Sequence, residues 1–204
     1  MNKIVSKILL LIAFLIADVS FTQQRADDIS IPKIENPRFK KGEGARILID
    51  QSHNNFHQLN GRFKPFADLM RNDGYQLDSI NDVKKIFKND VLVISNPINQ
   101  KNIRNWRQPI YNAFSDEDIS FIKNWVKKGG KLLLIADHMP FSGAANKLAN
   151  AFGFDFCDGF AYQKKEKTNA PDVFSIQNNR FLNSVISDGT LGKKIDNITS
   201  FTGS

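Results

Sequence analysis

Gly129-Gly130-Lys131-Leu132-Leu133-Leu134-Ile135-Ala136-Asp137-His138 decides the fold. Four consecutive aliphatic residues stand between a glycine pair and a polar exit. A strand that is apolar on both faces belongs to a sheet covered on both sides, which is the habit of parallel sheets. Upstream, Ser115-Asp116-Glu117-Asp118 opens a helix, with Ser115 as its cap and acidic residues in its first turn. Ile119, Ile122, Trp125 and Val126 form the apolar stripe of that helix, and Lys127, Lys128 and Gly129 end it. Downstream, Met139-Pro140-Phe141-Ser142-Gly143 turns into a helix predicted over Ala144–Phe152, with Ser142 as its natural N-cap and Gly153 as its stop.

The same alternation extends toward the N-terminus. Arg46-Ile47-Leu48-Ile49-Asp50 and Val91-Leu92-Val93-Ile94 read as buried strands. Pro65–Arg71 reads as a helix with proline in its first turn, stopped at Gly74, and Tyr75–Ile80 alternates as a strand nearer the sheet edge. Phe154-Asp155-Phe156 suggests the start of a further strand, with Lys131–Asp137 as the central one. Strand and helix alternate over residues 46–156, which predicts a doubly wound, mostly parallel α/β sheet with helices on both faces.

The outer parts carry less pattern. Residues 23–44 read as a polar lead-in arm. Past Cys157, Gln163–Ala170 reads as a charged loop, Val173–Ile176 as a strand and Asn179–Ile186 as a short helix. Residues 45–204 are expected to form a single α/β domain that is truncated at its C-terminus, with its closing elements missing. In residues 1–22, Lys3 and Lys7 precede the apolar run Ile8–Ala17, followed by small residues Ser20 and Thr22. That order predicts a signal peptide cleaved near Thr22, and hence a periplasmic or secreted bacterial protein without a stable membrane span once the signal is removed.

The 204 residues are 41% hydrophobic and 24% charged, as in globular proteins, with a net charge of +7. Residues 1–22 hold Lys3, Lys7 and Asp18, leaving +6 on the remainder. The basic residues are interleaved with acidic ones, so they read as a solvated surface and not as a nucleic-acid interface. A single cysteine, Cys157, excludes an intrachain disulfide. With no histidine nearby in sequence, it reads as a packed small side chain more readily than as a nucleophile.

All three histidines fall just past predicted strand ends. Asp50-Gln51-Ser52-His53-Asn54-Asn55-Phe56-His57 leaves the first strand through a loop longer than α/β connections usually need. Ser95-Asn96-Pro97 follows the third strand, and Asp137-His138 the fourth. In an open α/β sheet this carboxyl edge is where ligands bind. Two imidazoles and two carboxylates there suit general acid–base work: His53, Asp137 and His138 as catalytic groups, and Asp50, Asn96 and Ser142 as ligand contacts. No cofactor is required, and a divalent metal is an option. The bland alternatives are a loop histidine bonded to backbone and an aspartate that caps a turn. Trp106, between Arg104 and Arg107, reads either as a wall for a sugar or anionic group or as cover for a core edge.

The Asp50-to-His53 turn, Val91–Pro97 and Gly129–His138 together resemble the class I glutamine amidotransferase-like superfamily. The likeness is to its exported bacterial members that share a domain of unknown function, and it covers roughly residues 45–160. The resemblance implies a flavodoxin-like three-layer sandwich. It does not imply glutaminase activity. The elbow reads Ala136-Asp137-His138-Met139-Pro140 where the family's amidotransferases carry Gly-x-Cys-x-Gly, and no histidine follows His138. The expected function is binding of a small polar ligand, carbohydrate or derived from the cell envelope, with hydrolysis as the reaction if there is one. The alternative is a non-catalytic scaffold module that recognises an envelope partner.

Overall fold

The computed structural model describes residues 26, 33–160, 171–190 and 192–200. The predicted signal peptide and the charged loop at 163–170 lie outside these. The core is a four-stranded parallel sheet of β1 (Arg46–Asp50), β2 (Gln76–Ile80), β3 (Val91–Ser95) and β4 (Lys131–Ile135), in the order 2-1-3-4. Helix α1 (Lys64–Asn72) links β1 to β2, and α2 (Asp116–Lys127) links β3 to β4. Helix α3 (Phe141–Asn150) follows β4. A separate antiparallel pair joins β5 (Asp172–Ser175) to β6 (Asn197–Ser200).

Period-2 alternation sorts the strand residues onto two faces. Leu48, Leu92, Ile94, Leu132 and Leu134 pack with Ile122 and Trp125 of α2 and Leu148 of α3. Ile47, Ile49, Val91, Val93, Leu77 and Ile135 pack with Phe66, Ala67 and Met70 of α1. The register keeps these layers aligned, with Leu92 opposite Leu48 and Leu132, and Val93 opposite Ile49 and Leu133. Helix α2 is capped by Ser115 as expected, and the cap is a full capping box, in which Ser115 Oγ accepts from the Asp118 amide at 3.1 Å.

Five local expectations are corrected. Strand β4 is an edge strand, not the central one, because β3 is its only partner among the described residues and Leu133 is 43% exposed. Helix α3 starts at Phe141, one turn early, with Pro140 at the N-cap position, so Ser142 lies inside its first turn and caps nothing. Phe154–Phe156 is irregular chain. With Leu133 and Phe152 it lines an apolar groove of about 410 Å³ that carries no titratable side chain. Residues 179–186 form turns and bends: Leu182, Val185 and Ile186 stay exposed, so no helix face gains burial there. Cys157 is exposed and unpaired, against the packed reading.

The polar arm docks at its end. Phe39 donates its amide to Asp73 O at 3.2 Å, and Gly42 and Gly44 donate to Gly74 O at 3.1 and 2.9 Å. These contacts lie at the amino edge of the sheet, where β2 begins.

Candidate functional site

The strand order 2-1-3-4 means that the chain leaves β1 toward one side of the sheet and returns from β2 to the other. The loops after β1 and β3 therefore diverge, which opens a crevice above their carboxyl ends. Asp50 closes β1 and Ser95 closes β3, both fully buried.

The Asp50 carboxylate organises the first loop. It accepts from the Ser52 amide at 3.0 Å, from Ser52 Oγ at 2.5 Å, and faces His53 Nδ1 at 2.7 Å. An imidazole so held by a carboxylate keeps its proton on Nδ1, which leaves Nε2 to face away from Asp50. His53 Nε2 lies 3.7 Å from Asp118 Oδ2, and its ring packs on Phe114 at 4.3 Å. Partial burial pushes the Asp118 carboxyl up, but bonds from Ser115 Oγ and the Ser115 amide, with His53 alongside, hold it below the usual carboxylate range. His53 is thus enclosed between two carboxylates, 7% exposed.

Asn96 organises the second cluster. It adopts the left-handed conformation at φ 49°, which asparagine tolerates better than most residues. Its amide donates to Ile135 O at 2.9 Å, its carbonyl accepts from Phe56 N at 2.9 Å, and its Oδ1 accepts from the Asp137 amide at 3.1 Å. One buried residue thereby ties the β1, β3 and β4 exits together. Its Nδ2 is buried without a hydrogen-bond partner among the described residues. Beyond Asn96, Asp137 Oδ1 lies 3.8 Å from His138 Nε2, with the Asp137 side chain 40% exposed and that of His138 20% exposed.

His57 joins this second cluster. Its Nδ1 lies 2.9 Å from Ser95 Oγ, and its ring stacks on Phe63 at 5.2 Å. Burial holds the imidazole below its ordinary value. The Asp137 carboxylate opposes this and the Arg62 guanidinium adds to it. The folded state therefore binds a proton less readily than the unfolded chain, whose value is near 6.5. Stability is expected to be complete above that value and to fall as pH drops through it. Urea midpoints at about pH 7.5 and about pH 5 check this, and His57→Gln should shrink the difference.

The structure thus brings the predicted residues together as two neighbouring sets, Asp50–His53 and Asn96–Asp137–His138. The 53–57 loop bridges them: Ile98 N donates to His53 O at 3.0 Å, and Phe56 is held on Asn96. Ser142 is 1% exposed, and its Oγ is without a hydrogen-bond partner among the described residues. One residue was missed. Asp118 was legible only as an acidic residue of the first turn of α2, and its contact to His53 has no sequence signature. His57 was visible as a loop histidine, but its bond to Ser95 depends on β1 and β3 lying side by side.

Among the described residues, no group of three or more His, Cys, Asp or Glu side chains is placed to hold a metal ion, and no helix is long and apolar enough to cross a membrane. Comparison with protein-family models found no match. Comparisons with curated proteins and with solved structures likewise found none.

Proposed function

We propose that this chain is an exported α/β protein that binds a small polar ligand over the crevice between the carboxyl ends of β1 and β3. One observation carries the reading. Among the described residues, five of the ten buried polar or charged ones, Asp50, His53, Asn55, Ser95 and Asn96, gather at the point where the strand order reverses. Burying polar groups is costly, and a core built for stability alone has no reason to collect them at one edge. In this reading Asp137, His138 and His57 meet the ligand, while Asp50, His53 and Asn96 hold the loops that present them. The strand order agrees with the first four strands of a flavodoxin-like sheet, which supports a distant relation to the class I glutamine amidotransferase-like superfamily. Export rests on the charge and apolar pattern of residues 1–22.

Hydrolysis is the second reading, favoured by His57. Its depressed proton affinity keeps the imidazole neutral near pH 7, and a neutral imidazole can take a proton from water.

The test is calorimetric titration of the purified chain with sugars, amino acids, dicarboxylates and nucleosides. At least one class should bind. Asn96→Gly keeps the left-handed backbone but loses the bond to the Asp137 amide, and should weaken that binding roughly tenfold. If no class binds, or if Asn96→Gly and His138→Ala both bind as tightly as the parent, the reading is wrong.

A further inference from the structure

Next to Asn96 and Asp137 the chain exposes aromatic surface in a fixed arrangement. Phe141, 1% exposed, is the floor. Phe56 lies 5.3 Å from it, Trp106 meets it edge-on at 5.2 Å, and His138 lies at 5.8 Å. Phe160 stacks on His138 at 5.1 Å and 25°. The contacts close on themselves: Asn96 holds Phe56, Phe56 touches Trp106 at 6.0 Å, Trp106 reaches His138 at 6.3 Å, and Asp137 returns to Asn96. Two members still present themselves to solvent, Trp106 at 41% and Phe160 at 52%.

Resting on the polar-ligand reading above, we propose that the ligand is a carbohydrate, with one sugar ring lying against Trp106 beside Phe160 and its hydroxyls reaching Asp137 and His138. A pyranose has C–H faces and a hydroxyl rim. It needs a rigid apolar wall next to groups that accept and donate hydrogen bonds. Trp106 supplies the wall, anchored on two rings that are themselves packed. The Asp137 carboxylate accepts from hydroxyls, and so can His138 Nε2, because His138 Nδ1 donates to the Met139 carbonyl at 2.5 Å. No glycine-rich phosphate loop follows any strand, which speaks against a phosphate at the same place. Arg104 and Arg107, near neighbours of Trp106 in the chain, are exposed as well.

Saturation-transfer NMR on the full chain tests this, with maltotriose, cellotriose, xylotriose and chitotriose as probes and sorbitol and adenosine as controls. At least one trisaccharide should bind, with saturation strongest on its ring C–H protons. Trp106→Ala should weaken it by about tenfold, and Trp106→Phe, which keeps a flat apolar ring, by no more than about threefold. Phe160→Ala is a second variant at an exposed position, should Trp106→Ala unfold, and should weaken binding by about threefold or more. The inference is overturned if no trisaccharide binds better than sorbitol, or if binding survives both alanine variants. Adenosine bound in preference to the sugars would overturn it in favour of a nucleobase. A non-sugar ligand lost in Asn96→Gly but kept in Trp106→Ala would overturn the sugar assignment and leave the crevice reading intact, whereas silence from every compound in both panels would end both.

Discussion

Asp50→Ala is expected to lower the free energy of unfolding by about 3 kcal/mol, a large share of what a domain of this size holds in reserve. The carboxylate is fully buried and serves the Ser52 amide, the Ser52 hydroxyl and His53 Nδ1. Removing it takes two bonds from the exposed Ser52 and leaves the buried His53 Nδ1 with only Ser52 Oγ, at 3.0 Å, and stranding a buried partner costs more than the intact bond contributes. Asp50→Asn should fall between parent and alanine, because an amide oxygen can still accept from Ser52. Urea denaturation followed by circular dichroism measures both. A loss below about 1 kcal/mol for alanine would mean that water reaches His53, and that the crevice is more open than the burial of Asp50 implies.

Gly74→Ala is the second large effect, also expected near 3 kcal/mol. Gly74 sits at φ +91°, where a side chain is strained whatever the space. A Cβ there would meet Phe39 O at 2.3 Å and Lys40 O at 2.8 Å. Those obstacles are backbone, so no rotamer change relieves them. The arm from Phe39 to Gly44 must then lift away, losing the bonds that Gly42 and Gly44 make to Gly74 O. Gly42→Ala is the control: it also has positive φ, but a Cβ there meets nothing within 4 Å, so its cost should be the conformational one alone, about 1 kcal/mol. Equal losses for the two variants would show that the arm adds nothing to stability.

The strands were legible because continuous aliphatic runs between polar exits leave few other outcomes. Ser115 was legible as a cap because its geometry is local. What escaped depended on neighbours distant in sequence. Leu132, Leu133 and Leu134 report that β4 has apolar faces, but edge or centre is a matter of backbone pairing, on which periodicity is silent. Helix α3 starts early because Phe141 is buried among Phe56, Trp106 and His138, a tertiary gain that outweighs a poor capping residue. Asn179–Ile186 has helical spacing but no packing partner, and spacing alone does not hold a short helix. At the candidate site, the sequence located the carboxyl edge correctly. The pairing of His53 with Asp118 and of His57 with Ser95 required the sheet to exist first.

The docked arm also sets a polarity for the molecule. The chain enters at the end of the sheet where β1 and β2 begin, while Asp137, Trp106 and Phe160 occupy the other end, roughly 16 Å away along five-residue strands. Cargo or an immobilising linker fused ahead of Phe39 therefore emerges at the far pole and leaves the crevice facing bulk solvent. The same handle placed near Phe160 would crowd its mouth.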